Sequence, residues 1–159
     1  MGITLLLEKL MSILFEPLTI GNFEIKNRFV RSATYYGLSD TDGYIGDESI
    51  ELIRDLARND VGLIVTGYAY VSKNGQVVPD MNGIQNDEHI PGYRKMTQAV
   101  HELDGRIVMQ IVHGGGDAYS VSFWGGDYMA VSLRDDMPIY RKNYRSLWAS
   151  RPPSSGSRF

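Results

Sequence analysis

The spacing of apolar and polar positions changes period several times along the chain, and each change marks an element. Leu18-Thr19-Ile20 and Phe23-Glu24-Ile25 flank Gly21-Asn22, the arrangement of a two-residue hairpin whose leading glycine suits a type II′ turn. A short strand is predicted over Arg28-Phe29-Val30-Arg31-Ser32, and a polar, glycine-containing loop over Ser39 to Gly46. Ile50, Ile53 and Ala57, with Leu52 and Leu56, then form one apolar stripe, so Asp47 to Asn59 reads as a helix. Asp47, Glu48 and Glu51 crowd its first turns, where the positive end of the helix dipole favours acids.

Val61-Gly62-Leu63-Ile64-Val65-Thr66 is apolar without alternation, as in strands buried on both faces of a parallel sheet. A long loop is predicted from Gly67 to Asp87, with Asn74-Gly75 as its clearest turn. Pro91 can open a second helix, whose apolar positions are Met96, Ala99, Val100 and Leu103 and whose stop is Gly105. A second buried strand over Arg106 to Val112 runs into His113-Gly114-Gly115-Gly116. The order hairpin, β, α, β, α, β implies an α/β fold with a parallel sheet. After Gly116 the period dissolves, and residues 146–159, rich in Ser, Arg and Pro, are expected to be disordered.

At 159 residues, 43% hydrophobic and 22% charged, the chain has ordinary globular composition for one domain. It has no cysteine, which excludes a disulfide framework, a thiolate metal site and a cysteine nucleophile. The net charge of −3 is unevenly distributed: residues 1–136 carry 11 Lys/Arg against 19 Asp/Glu, whereas residues 137–159 carry five basic residues and no acid. An acidic body argues against nucleic acid as a partner. The apolar stretch Ile3 to Leu7 is too short to span a bilayer and lacks the flanks of a targeting segment, so a cytoplasmic location and no membrane partner are expected.

In parallel α/β architectures sites form at the carboxyl ends of the strands. Three such ends are available: Ser32-Ala33-Thr34-Tyr35, Thr66-Gly67-Tyr68, and Gln110 through Gly116. Gln110 is an uncharged donor and acceptor within an apolar strand, so its amide bonds either neighbouring backbone or the edge of a heterocyclic ligand. The His113-Gly114-Gly115-Gly116 run is similar to the oxyanion-hole loop of esterases, but no Gly-x-Ser-x-Gly elbow and no later histidine accompany it. His89, His101 and His113, twelve residues apart, match no common zinc spacing. Neither a Gly-x-Gly-x-x-Gly fingerprint after a strand nor a P-loop is present.

Four segments taken together resemble the amino-terminal part of the Old Yellow Enzyme family of FMN-dependent NADH:flavin oxidoreductases and ene-reductases. They are Leu14-Phe15-Glu16-Pro17-Leu18-Thr19-Ile20-Gly21, Lys26 through Thr34, Gly62-Leu63-Ile64-Val65-Thr66-Gly67, and Gln110-Ile111-Val112-His113-Gly114-Gly115, in the family's order and spacing. The resemblance implies an incomplete (β/α)8 TIM barrel: about three βα units, an amino-terminal capping hairpin and a disordered carboxyl-terminal tail. It divides the chain into an extension (1–11), a partial FMN-binding barrel domain (12–116), a loop region (117–145) and a tail (146–159) expected to be out of frame.

The resemblance also implies FMN as cofactor, NADH or NADPH as reductant, and an activated alkene or similar small molecule as acceptor. It places Ser32, Ala33, Thr34, Tyr35, Gly67 and Tyr68 beside the flavin ring and Gln110 on its pyrimidine side. Tyr35 departs from the family, where many members carry Thr or Cys, and Gly116 replaces a common arginine. The family's proton-donating Tyr, substrate-anchoring His pair and phosphate site come from later strands, and a full barrel needs ~250 residues. The expectation is therefore an open sheet with an unpaired edge, prone to oligomerise or to need a complementing chain. The competing expectation is a non-catalytic truncated fragment.

Overall fold

The computed structural model describes residues 13–115 and 118. The extension, the tail, Gly116 and, apart from Ala118, the loop region of the sequence reading lie outside the described residues.

The hairpin forms as the pattern predicts. β1 (Leu18–Ile20) pairs antiparallel with β2 (Phe23–Ile25), Ile20 opposite Phe23. Gly21 has φ +57° while Asn22 stays out of the left-handed region, as a type II′ turn requires. The first predicted barrel strand is shorter than expected, ordered as β3 only at Val30–Arg31. The two helices stand where the stripes put them, α1 over Asp47–Arg58 and α2 over Ile90–His101.

β3, β4 (Leu63–Val65) and β7 (Ile107–Val108) form one parallel sheet in that order. The predicted loop from Gly67 to Asp87 is corrected, because it contains β5 (Ala69–Tyr70) and β6 (Asn82–Gly83). These pair in parallel with β8 (Ile111–Val112), in the order β6-β5-β8. The single strand expected over 106–112 is thus interrupted at Met109-Gln110, and its neighbour at Thr66-Gly67-Tyr68.

One core lies between helices and sheet. Ile50, Ile53 and Ala57 of α1 meet Met96, Ala99 and Val100 of α2 over Ile64. Glu51, Arg54, Asp55 and Arg58 pair on the solvent face of α1. Among the described residues little covers the opposite face of that sheet, where Val30 and Val108 remain 52% and 42% exposed.

Both helices stop in the same way. After α1 the Val61 N–H bonds Leu56 O and the Asp60 N–H bonds Ala57 O, with Asp60 at φ +62°. After α2 the Gly105 N–H bonds Val100 O and the Asp104 N–H bonds His101 O, with Asp104 at φ +53°. These are Schellman motifs whose left-handed residue is an aspartate. The expected stop at Gly105 is therefore shifted. That glycine is needed for space, since a Cβ there would lie 2.7 Å from Val100 Cγ1.

Asp60 also ties the hairpin to the helix end. Its carbonyl accepts from Asn27 Nδ2 at 2.6 Å and its carboxylate from Lys26 Nζ at 2.8 Å, while Asn27 Oδ1 accepts from Phe29 N–H. Asn27 is buried, so Asn27→Ala strands two polar groups and is expected to cost about 2–3 kcal/mol, read as a lower urea midpoint. A destabilisation below about 0.5 kcal/mol would contradict this account of the clamp.

Candidate functional site at the strand ends

At the end of β3, the Arg31 guanidinium donates to Ser32 O at 3.2 Å and to Thr34 Oγ1, and Thr34 Oγ1 donates to Ser32 O at 3.2 Å. These bonds brace the Ser32-Ala33-Thr34 segment, where Ser32 and Thr34 stay exposed. The chain then returns against the end of β4. A Cβ on Gly67 would lie 2.9 Å from the Tyr36 ring and 3.1 Å from Thr34 O, so only glycine allows the two strand ends to approach this closely. Tyr35 stacks on Tyr68 with centroids 5.9 Å apart and 22° between planes, and its hydroxyl donates to Asp80. Tyr35, Gly67 and Tyr68, singled out from sequence, thus share one small crevice with Tyr36, Asp80 and Asn82.

The second strand end is irregular in a defined way. Ile64 lies opposite Ile107 and Val65 opposite Val108, but Ala69 lies opposite Ile111. One extra residue has entered the β4–β5 side, which is a β-bulge, a device common beside active sites. Its polar groups are met by side chains. Thr66 Oγ1 accepts from the Gln110 N–H at 3.3 Å, and Gly67 N–H bonds the Tyr36 hydroxyl. The regular ladder resumes with the Ala69 N–H on Gln110 O at 2.8 Å.

The Gln110 side chain is exposed, and among the described residues nothing hydrogen-bonds its amide. Its possible use on neighbouring backbone is therefore not realised. Ser32 and Ala33 belong to the first strand end but not to the Tyr35–Tyr68 stack.

Sequence reasoning missed Asp80 and Asn82, which sit in a stretch with no periodic signal. Asn82 is buried, accepts from Ser39 Oγ at 2.6 Å and donates to the Tyr36 hydroxyl at 2.9 Å. Burial pushes the Tyr36 phenol above its ordinary value, outweighing the Asn82 and Gly67 hydrogen bonds and the Arg31 charge. His89 is buried, with Nδ1 2.6 Å from Asn86 Oδ1 and Nε2 3.1 Å from Asp42 O. Those contacts give it a structural place beside Gly83 of β6.

The described residues contain no cluster of His, Asp and Glu suited to a metal, and no helix long and apolar enough to cross a membrane. A larger open cleft of about 560 Å³ lies between α1 and α2, lined by Asp47, Glu51, Arg54, Lys95 and Gln98 among others. It is a charged groove on the helix layer, away from the strand ends.

The profile of the NADH:flavin oxidoreductase / NADH oxidase family matches residues 13–125. A metal reductase of Desulforamulus reducens is 34% identical over 110 residues, covering 69% of this chain and 16% of that protein. An NADPH dehydrogenase of Bacillus subtilis is 34% identical over 106 residues, covering 66% of this chain and 31% of the relative. The solved Old Yellow Enzyme homologue of Zymomonas mobilis superposes with a TM-score of 0.58 at 30% identity, over 64% of this chain and 28% of that one. The chain thus spans between about a sixth and a third of the length of these proteins.

Proposed function

Because this chain belongs to the NADH:flavin oxidoreductase / NADH oxidase family, we propose that it supplies the flavin-facing strand ends of an FMN-dependent oxidoreductase. In this reading Ser32, Ala33, Thr34 and Tyr35 line one side of the ring, Gly67 and Tyr68 its edge, and the Gln110 amide its pyrimidine side. FMN, when bound, supplies a centre that accepts hydride from NADH or NADPH and passes it to an activated alkene or similar acceptor.

The observation that carries the reading is the exposed Gln110 amide beside the Thr66-Gly67 strand end. A primary amide both donates and accepts, so it can read a ring edge that alternates carbonyl and N–H groups. Gly67 keeps the adjoining backbone free of a side chain, and Arg31 braces the Ser32–Thr34 segment so that it need not be ordered on binding. The exposed face carrying Val30 and Val108 calls for further strands to close the barrel around the cofactor. A cysteine-free composition suits work in the cytoplasm.

The family's phosphate site comes from later strands, so these strand ends supply ring contacts rather than the charge-assisted bonds that hold a dianion. FMN titrated into the 159-residue chain and followed by flavin fluorescence is expected to saturate weakly, with Kd in the ~10–100 µM range. Gln110→Leu is expected to raise that Kd about fivefold or more. No uptake at ~100 µM would favour the non-catalytic fragment, and equal binding by the variant would overturn the role given to Gln110.

A further inference from the structure

We propose that Thr66 is a positioning residue for Gln110, its hydroxyl standing in for the backbone acceptor that the bulge at Gly67-Tyr68 displaces. The inference rests on the reading of Gln110 as a flavin-edge ligand, but its physical basis is independent of it. In a regular parallel ladder the pairs Ile64–Ile107 and Val65–Val108 would be followed by a Gln110 N–H directed at the carbonyl of residue 66. The register instead slips by one residue before Ala69–Ile111. The Gln110 N–H finds Thr66 Oγ1 at 3.3 Å, while its carbonyl keeps a ladder bond of 2.8 Å to the Ala69 N–H.

Thr66 is 2% exposed, so its hydroxyl is held in place rather than shared with bulk water. Gln110 is therefore gripped through both backbone groups, one of them by a side chain, while its amide projects free of any described partner. A residue held in this way presents its side chain in one direction. Valine at position 66 would keep the shape and β propensity of threonine but offer no acceptor, leaving the Gln110 N–H without its bond. Serine would keep the acceptor. The hydroxyl, not the volume, is the functional part.

The test compares wild type, Thr66→Val and Thr66→Ser by amide hydrogen exchange at Gln110 and by FMN titration. In wild type the Gln110 amide is expected to be protected although its ladder carbonyl is absent, and rapid exchange there would overturn the proposal whatever the variants do. Thr66→Val is expected to speed that exchange about tenfold and to weaken FMN uptake about fivefold, with Thr66→Ser within about twofold of wild type on both. Combined with Gln110→Leu, Thr66→Val should add little further loss of FMN affinity, since it acts through Gln110. Independent, additive losses would contradict that. If wild type takes up no FMN, the flavin reading falls, and the exchange data still decide whether Thr66 holds the bulge.

Discussion

Gly43→Ala is expected to abolish or nearly abolish cooperative folding, at a cost of roughly 3–5 kcal/mol. Gly43 sits at φ +82°, and a Cβ there would lie 2.6 Å from Gly83 N, 2.7 Å from the Tyr70 hydroxyl and 2.8 Å from Gly83 Cα. Two of those neighbours are backbone in β6 and cannot swing aside. The loop around it is pinned from several directions. Asp40 Oδ1 accepts from the N–H groups of Asp42 and Tyr44, Tyr70 donates to Asp42 O at 2.6 Å, and Lys73 donates to Thr41 O at 2.6 Å. The Gly83 N–H donates back to Gly43 O at 2.9 Å.

A shift that relieved the methyl would have to break several of these bonds at once. Gly21→Ala is the control. It also has positive φ, +57°, but nothing lies within 4 Å, so its cost is expected to be only the left-handed penalty of about 1–2 kcal/mol. Urea titration of both variants checks the contrast. Equal midpoints for the two would mean that the close approach of loop and sheet has been misjudged.

Alkali is expected to unfold the chain steeply between about pH 10 and pH 12. Burial, aided by the charges of Asp42 and Asp40, raises the Tyr70 phenol to about 12. Burial likewise raises Tyr93, whose hydroxyl has no hydrogen-bond partner among the described residues, and Tyr36. In each case the folded state holds its proton more tightly than the unfolded chain, whose tyrosines titrate near 10. The stabilisation is therefore complete below pH 10 and is lost as pH rises through the folded values. Each buried tyrosine contributes a slope of about 1.4 kcal/mol per pH unit within that window. Tyrosinate absorbance and circular dichroism recorded together should show these phenols ionising with unfolding. Full ionisation near pH 10 with the fold retained would contradict the burial of this network.

Much of the framework was legible from the pattern of residues. The apolar stripes of α1 and α2 use most of their buried positions, so period alone locates them. The hairpin declares itself through Gly21-Asn22 between alternating strands. The first barrel strand was overestimated because it lies at the edge of its sheet and only Val30 and Arg31 find partners in β4. The bulge could not be read, since Val61 to Thr66 and Arg106 to Val112 each look like one continuous strand. The extra residue appears only when the two are laid side by side.

The candidate site divides in the same way. Tyr35, Gly67, Tyr68 and Gln110 stand at strand ends that any parallel α/β reading would inspect. Asp80 and Asn82, which hold Tyr35 and Tyr36, come from a stretch with neither period nor motif, and their place follows from tertiary hydrogen bonds alone. Thr66 was visible as a strand-end residue, but its bond to Gln110 depends on the register slip.

The central claim, that flavin lies across these strand ends, is tested most directly by mapping amide hydrogen exchange of the 159-residue chain with and without saturating FMN. The account predicts added protection at Ser32 to Tyr35, at Gly67-Tyr68 and at Gln110, with α1 and α2 unchanged. Protection confined to the cleft between the helices, around Glu51, Lys95 and Gln98, or protection nowhere, would contradict it.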